Sequence, residues 1–237
     1  ISIIFMIAVP ILTMRSFAED RKNKTDQLML TAPVPVAKVV LGKYLAMLAV
    51  FTVDIAVFCV TPLILRAFGT IPMGESYIAI LAFWLYGAAS IAVGMFISAL
   101  TESQVIAAVL TFVVLFISYM MQSLTGLISS DGNWLTKILN GLDLYAPFEK
   151  FQGGCLDITA ILYYVTVIVL FNFFTVQAIQ KRRWSISKKT FSLSVFSSSF
   201  IVVVFALAVV ANLAVDALPT RITSLDCSYS KLYSITK

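Results

Sequence analysis

Asp54 is the only Asp, Glu, Lys or Arg inside any of the five long apolar stretches of this 237-residue chain. An ionisable group at mid-bilayer depth costs several kcal/mol unless it is paired, neutralised or facing a water-filled cavity. Two readings follow: a residue of a translocation path or gate, or a carboxyl bonded to a neighbouring helix. The other concentration of reactive groups is Met14–Lys43, which sets Arg15, Arg21, Lys22, Lys24, Lys38 and Lys43 against Glu19, Asp20 and Asp26. Beyond these the inventory mostly excludes. Histidine is absent, which removes the commonest general base and metal ligand and argues against a zinc or Ser-His-Asp site. Cys59, Cys155 and Cys227 have no paired spacing, so neither a metal site nor a disulfide framework is indicated. Gly42-Lys43 is followed by Tyr44 and lacks the upstream glycine of a phosphate-binding loop, so this chain binds no nucleotide in that manner. No catalytic residue and no cofactor of its own is assigned.

The elements that position these groups are set by hydropathy. With 60% hydrophobic and 12% charged residues and a mean hydropathy of +0.96, the chain cannot hide its apolar side chains in a water-soluble core. Windows long enough to cross about 30 Å of hydrocarbon occur at Tyr44–Leu65, Tyr77–Leu100, Val105–Thr125, Ile158–Gln180 and Phe191–Val215. A sixth run, Ile1–Met14, is too short to span, and the chain begins with Ile. The simplest account is a fragment that lacks the start of one span. The expected fold is therefore all-α, a polytopic membrane helix bundle lying in a cell membrane.

Orientation follows from the bias of Lys and Arg in short loops. With 15–43 on the cytoplasmic side, strict alternation also puts 101–104 and 181–190 there, and these segments hold eleven of the seventeen basic residues. The net charge of +5 then reports topology and contact with anionic lipid, and no nucleic-acid-binding groove is seen. In Tyr77–Leu100, Gly87, Ser90, Gly94 and Ser98 recur every three or four residues, a spacing that lets another helix approach closely, either as a packing seam within the bundle or as a subunit interface. Thr101–Gln104 reads as a plain polar turn, with contact to a cytoplasmic partner as the sharper alternative. The outer segment Gly126–Asp157 carries Trp134, Tyr145, Phe148 and Phe151, which suit the headgroup layer as interface anchors; the sharper alternative is a lid over a path.

The charged stretch has the grammar of a short helix at a membrane surface, a turn, and a second helix feeding into the bilayer; the alternative is a solvated loop that only sets topology, as charged loops beside spans commonly do. Phe17, Ala18, Leu28, Met29 and Leu30 supply apolar contacts, and Pro33 and Pro35 stop the helix. Its residues run Thr13-Met14-Arg15-Ser16-Phe17-Ala18-Glu19-Asp20-Arg21, then Lys24-Thr25-Asp26-Gln27-Leu28-Met29-Leu30-Thr31-Ala32-Pro33, then Val39-Val40-Leu41-Gly42-Lys43-Tyr44. That run resembles the segment between the second and third spans of type-2 ABC exporter permeases. Lys24 stands where that family commonly has Gly.

The resemblance implies a six-span domain over residues 1–184 with its first span missing, and an outer helical hairpin before the last span. It also implies that Glu19, Asp20, Arg21, Lys22, Lys24, Thr25, Asp26 and Leu28 belong to a coupling helix docked on a separate ATPase subunit. ATP and Mg would be bound by that partner, and a second permease subunit, identical or different, would complete a dimer. A linker at 185–190, an extra span at 191–215 and the start of an outer domain at 216–237 would follow. In this last part Asn212, Arg221, Leu225-Asp226 and Lys231-Leu232-Tyr233-Ser234-Ile235-Thr236 resemble the opening of the auxiliary protein of gliding-motility-type ABC systems. A bacterial inner membrane is the implied location. Two readings of other classes stand beside this one: an ion-coupled secondary carrier using Asp54, and a non-transporting anchor for an outer domain.

Overall fold

The computed structural model describes residues 2–25, 34–68, 73–128, 144–145, 147–148, 151 and 158–183. Their regular elements are helices: α1 (Ser2–Thr13), α2 (Ala18–Lys22), α3 (Val36–Phe68), α4 (Met73–Leu100), α5 (Gln104–Ile128) and α6 (Ile158–Arg183). α3 to α6 each contain a stretch long and apolar enough to cross a membrane. The expected span Phe191–Val215 lies outside the described residues.

α4 is the axis of the bundle. Of its most apolar window 72% is buried, against 17% for α3 and 28% each for α5 and α6, and α1, α3, α5 and α6 all pack against it. The cause is its run of small residues. A Cβ added at Gly87 would meet the Phe51 ring at 2.2 Å, and one at Gly94 would meet Thr13 Oγ1 at 2.4 Å and Thr111 Cγ2 at 3.0 Å. Gly94 thus marks the place where α1, α4 and α5 come together. Ser90 and Ser98 are buried on the same helix. The Ser90 hydroxyl donates to Tyr86 O at 2.8 Å, so it adds little bulk and leaves no hydrogen bond owed in hydrocarbon.

Two further bonds stitch α3 to α4: Tyr44 OH donates to Ala88 O at 3.1 Å, and Trp84 Nε1 donates to Thr52 Oγ1 at 3.0 Å. Outward faces remain apolar. Val53, Val57 and Leu63 on α3, and Val105, Ile106 and Val109 on α5, are more than half exposed, as suits side chains whose solvent is lipid.

α3 starts eight residues before the expected Tyr44, directly after Pro35. Proline's fixed φ suits a first helical turn, and Lys38 N donates back to Pro35 O at 3.0 Å. The helix therefore projects beyond the hydrocarbon, where Lys38 stays exposed. α2 is shorter than the sequence suggests. It closes in a turn at Asn23–Thr25, before Pro33 and Pro35 are reached.

The outer segment also differs from expectation. Among its described residues, Phe148 is 6% exposed and Phe151 fully buried, so these rings fill the bundle and do not anchor it in the headgroup layer. Phe148 lies against Phe83 and Tyr86 at centroid distances of 6.2 and 5.7 Å. Leu144 is tied on both sides: its N–H donates to Ser118 Oγ at 3.0 Å, and its carbonyl accepts from Tyr164 OH at 2.9 Å. Trp134 lies outside the described residues.

Candidate functional site

The charged end of the bundle gathers the C-terminal ends of α1 and α4, the N-terminal end of α3 and all of α2. α1 stops at Thr13, and the chain then turns through Met14–Phe17 into α2. Helix termini leave backbone groups without partners, and here one side chain of α4 meets three of them. Ser98 Oγ accepts from Phe17 N and Ala18 N, both at 3.1 Å, and donates to Met14 O at 3.2 Å. Ser98 is fully buried, so the elbow between α1 and α2 is fastened to the end of α4 without water.

Two cations complete the dock. Lys43, in the second turn of α3, donates to the Asp20 carboxylate and to Ser16 O, and its ammonium stands 4.4 Å from the centroid of the Phe17 ring. Arg21 donates to Ala99 O at 3.3 Å and to Glu102 Oε1 at 2.9 Å. The Arg21–Glu102 pair contributes little alone, since the Glu102 side chain is 79% exposed. It nevertheless joins α2 to the turn between α4 and α5. The turn Thr101–Gln104 is therefore part of the site and more than a polar reversal.

The expected coupling residues separate into two groups. Asp20 and Arg21 point inward and hold α2 in place. Lys22, Lys24 and Thr25 are exposed, as are Arg15 and Asn23, and Glu19 is half-buried. The outward surface of the elbow is consequently basic. Asp26 and Leu28 lie outside the described residues. Gly87, Ser90, Gly94 and Ser98 all lie on the buried part of α4, with Ser98 in the dock itself. Asp54 stands apart from this cluster, exposed on the flank of α3.

Lys24 adopts φ 57, the left-handed conformation that glycine enters without strain. The turn is closed by Thr25, whose N–H and hydroxyl both donate to Asp20 O, at 2.9 and 3.0 Å. We expect Lys24→Gly to stabilise this turn by about 0.5–1 kcal/mol, the relief of left-handed backbone less glycine's entropic cost. Slower amide exchange at Asn23–Thr25 is the readout.

The family model described as ABC-2 family transporter protein matches residues 1–153, which run from α1 through the elbow and α5 into the outer segment. The chain belongs to the ABC-2 transporter family. No curated protein and no solved structure matched it. This ABC-2 family member is a membrane-spanning permease component of an ABC transporter, and the four membrane-length helices among its described residues accord with that role.

Sequence reasoning missed Ser98 and Lys43 as parts of the site. Ser98 was legible only as a small residue, because its bonding partners lie 80, 81 and 84 positions away. Lys43 carried a faint signal: it is the last cation before the apolar run of α3, and Asp20 lies 23 positions before it.

Proposed function

We propose that this ABC-2 permease is the membrane half of an ATP-driven exporter, and that α2 with its following turn is the coupling helix gripped by a separate ATP-binding subunit. The observation that carries this is the dock. A five-residue helix is too short to be stable alone, yet Ser98, Lys43 and Arg21 fix it against α3 and α4. A push on its exposed face reaches those two spans directly.

In this reading the charged end faces the cytoplasm, and ATP and Mg bind only in the partner. The ATP-binding subunits close, α2 moves with them, and α3 and α4 tilt about their seam at Gly87. Withdrawal of Tyr145 and Phe148 from the aromatic cluster they form with Phe83 and Tyr86 then opens the outer end. A second permease subunit supplies the other half of the path. The resemblance of residues 212–236 supports a gliding-motility-type system in a bacterial inner membrane, in which the permease is fused to the beginning of the auxiliary protein.

The basic face of the elbow calls for an acidic groove on the ATP-binding subunit. Lys22→Glu with Lys24→Glu should leave the permease folded, because both side chains are exposed. It should weaken the complex with the ATP-binding subunit roughly tenfold or more, since like charges placed together across an interface cost several kcal/mol. Co-purification with a subunit carrying a phosphate-binding loop measures it. An undiminished complex would contradict the proposal.

A further inference from the structure

Leu144 and Tyr145 enter the bundle more deeply than a surface loop does. Ser118, which accepts from Leu144 N at 3.0 Å, stands fourteen residues along α5 from Gln104, about 21 Å at helical rise. Tyr86, whose ring meets that of Tyr145 at 6.1 Å, stands twelve residues before Ser98 of the dock, about 18 Å away. In a hydrocarbon layer about 30 Å thick, both measures put the Leu144–Tyr145 peptide roughly 10 Å inside the outer edge. Neither residue is helical. Irregular backbone at such depth persists only inside protein, with its polar groups bonded. Here the bonds come from two other spans: the Ser118 hydroxyl of α5 takes the Leu144 amide, and the Tyr164 hydroxyl of α6 donates to its carbonyl at 2.9 Å. Ser118 is 4% exposed and Tyr164 fully buried, so water replaces neither bond.

We propose that this clamp on Leu144 is the lock that holds the outer end of the bundle shut. Release in step with ATP rests on the export reading above; the closure itself does not. The clamp joins α5 to α6, each of which packs against α4. A separation of about 1 Å between them carries either bond past ~3.5 Å, where it ceases to be one. The neighbouring rings are more tolerant. Tyr145 meets Tyr119 of α5 at 4.9 Å and Phe148 meets Phe83 of α4 at 6.2 Å, and such pairs stay favourable over centroid distances of about 4.5–7 Å. The rings therefore give the plug its bulk, and the two hydrogen bonds give it one position.

Both bonds belong to one residue, so they open together. When α5 and α6 part, Leu144 loses its two partners at once, and Tyr145 and Phe148 are freed from the rings of α4 and α5. The outer end then has the same construction as the elbow at the other end of α4. In both places hydroxyls of the spans hold irregular backbone where water is excluded, Ser98 at the elbow and Ser118 with Tyr164 at the lock.

Amide exchange at Leu144, in the full chain reconstituted in lipid nanodiscs, tests it. Tyr164→Phe removes the donor to the carbonyl and leaves the Ser118 bond to the amide in place. We expect exchange of the Leu144 amide to rise roughly tenfold all the same, the effect of leaving one buried carbonyl unpaired. An unchanged rate would overturn the proposal by showing that the two bonds open independently. So would an equal rise at Phe17 and Ala18 in the dock, which would mean a general loosening of the bundle. Should Tyr164→Phe prevent accumulation, Ser118→Ala is read by a thiol. With Cys59, Cys155 and Cys227 changed to Ser, Leu144→Cys keeps the backbone that the clamp grips. Ser118→Ala should then speed modification of the introduced thiol by a water-soluble maleimide, again roughly tenfold, and an unchanged rate would be equally contrary. Nanodiscs expose both faces and hold no ATP-binding subunit, so neither result depends on the orientation of the chain or on the coupling role of α2.

Discussion

Gly94→Ala lowers the stability of the bundle by about 3 kcal/mol, the upper end of what overpacking costs. The added Cβ would stand 2.4 Å from Thr13 Oγ1, 2.9 Å from Thr13 Cβ and 3.0 Å from Thr111 Cγ2. Thr13 cannot swing aside, because it is fully buried and its hydroxyl donates to Val9 O at 2.9 Å. The substitution therefore pushes α1 and α5 away from α4. Adding Thr13→Ala should restore only part of the loss, since the Cβ of residue 13 remains in contact. Gly42→Ala supplies the contrast. It meets nothing within 4 Å, and in an exposed helical position it should stabilise by about 0.5–1 kcal/mol. Denaturant titration of the reconstituted chain measures all three changes.

Ser98→Ala strips the elbow of its fastening. Phe17 N and Ala18 N lose their acceptor and Met14 O loses its donor, in a place closed to water. Leaving such groups unpaired costs about 1–3 kcal/mol, so amide exchange at Phe17 and Ala18 should rise by roughly thirtyfold at the middle of that range. Global stability should fall less than in Gly94→Ala, because Lys43 and Arg21 still hold α2. In the proposed cycle the consequence is larger than the energy. ATP hydrolysis by the partner continues while transport per ATP falls, because α2 moves without α4. Exchange measured by mass spectrometry, together with a transport-to-hydrolysis ratio in vesicles, separates this result from simple unfolding.

Much of the fold was readable in the chain because hydrocarbon imposes one rule on every span. Tyr77–Leu100, Val105–Thr125 and Ile158–Gln180 lie within α4, α5 and α6, and the small-residue spacing on α4 coincides with its tight contacts. The boundary of α3 was not readable. A hydropathy window stops at charges, whereas the helix runs on through Lys38 and Lys43, the latter neutralised by Asp20. The site was half readable. The composition of 15–43 drew attention to the elbow, but Asp20 and Arg21 look like surface charges in sequence and turn inward in the structure. Their partners, Lys43 and Glu102, come from other helices and turns, and local pattern carries no information on such pairings. The burial of Phe148 and Phe151 was missed for a related reason. Aromatic residues suit both a headgroup layer and an aromatic core, and only the positions of Phe83 and Tyr86 decide between them.

A coupling role requires the elbow to be presented on the side of the membrane where ATP is bound. In a chain whose three cysteines are changed to Ser, Asn23→Cys places a thiol in the exposed turn after α2. A membrane-impermeant maleimide should leave it unlabelled in intact cells and label it in inverted vesicles, with protection when the ATP-binding subunit is added. Labelling from outside intact cells would put the elbow beyond the reach of any ATP-binding subunit and contradict the coupling role.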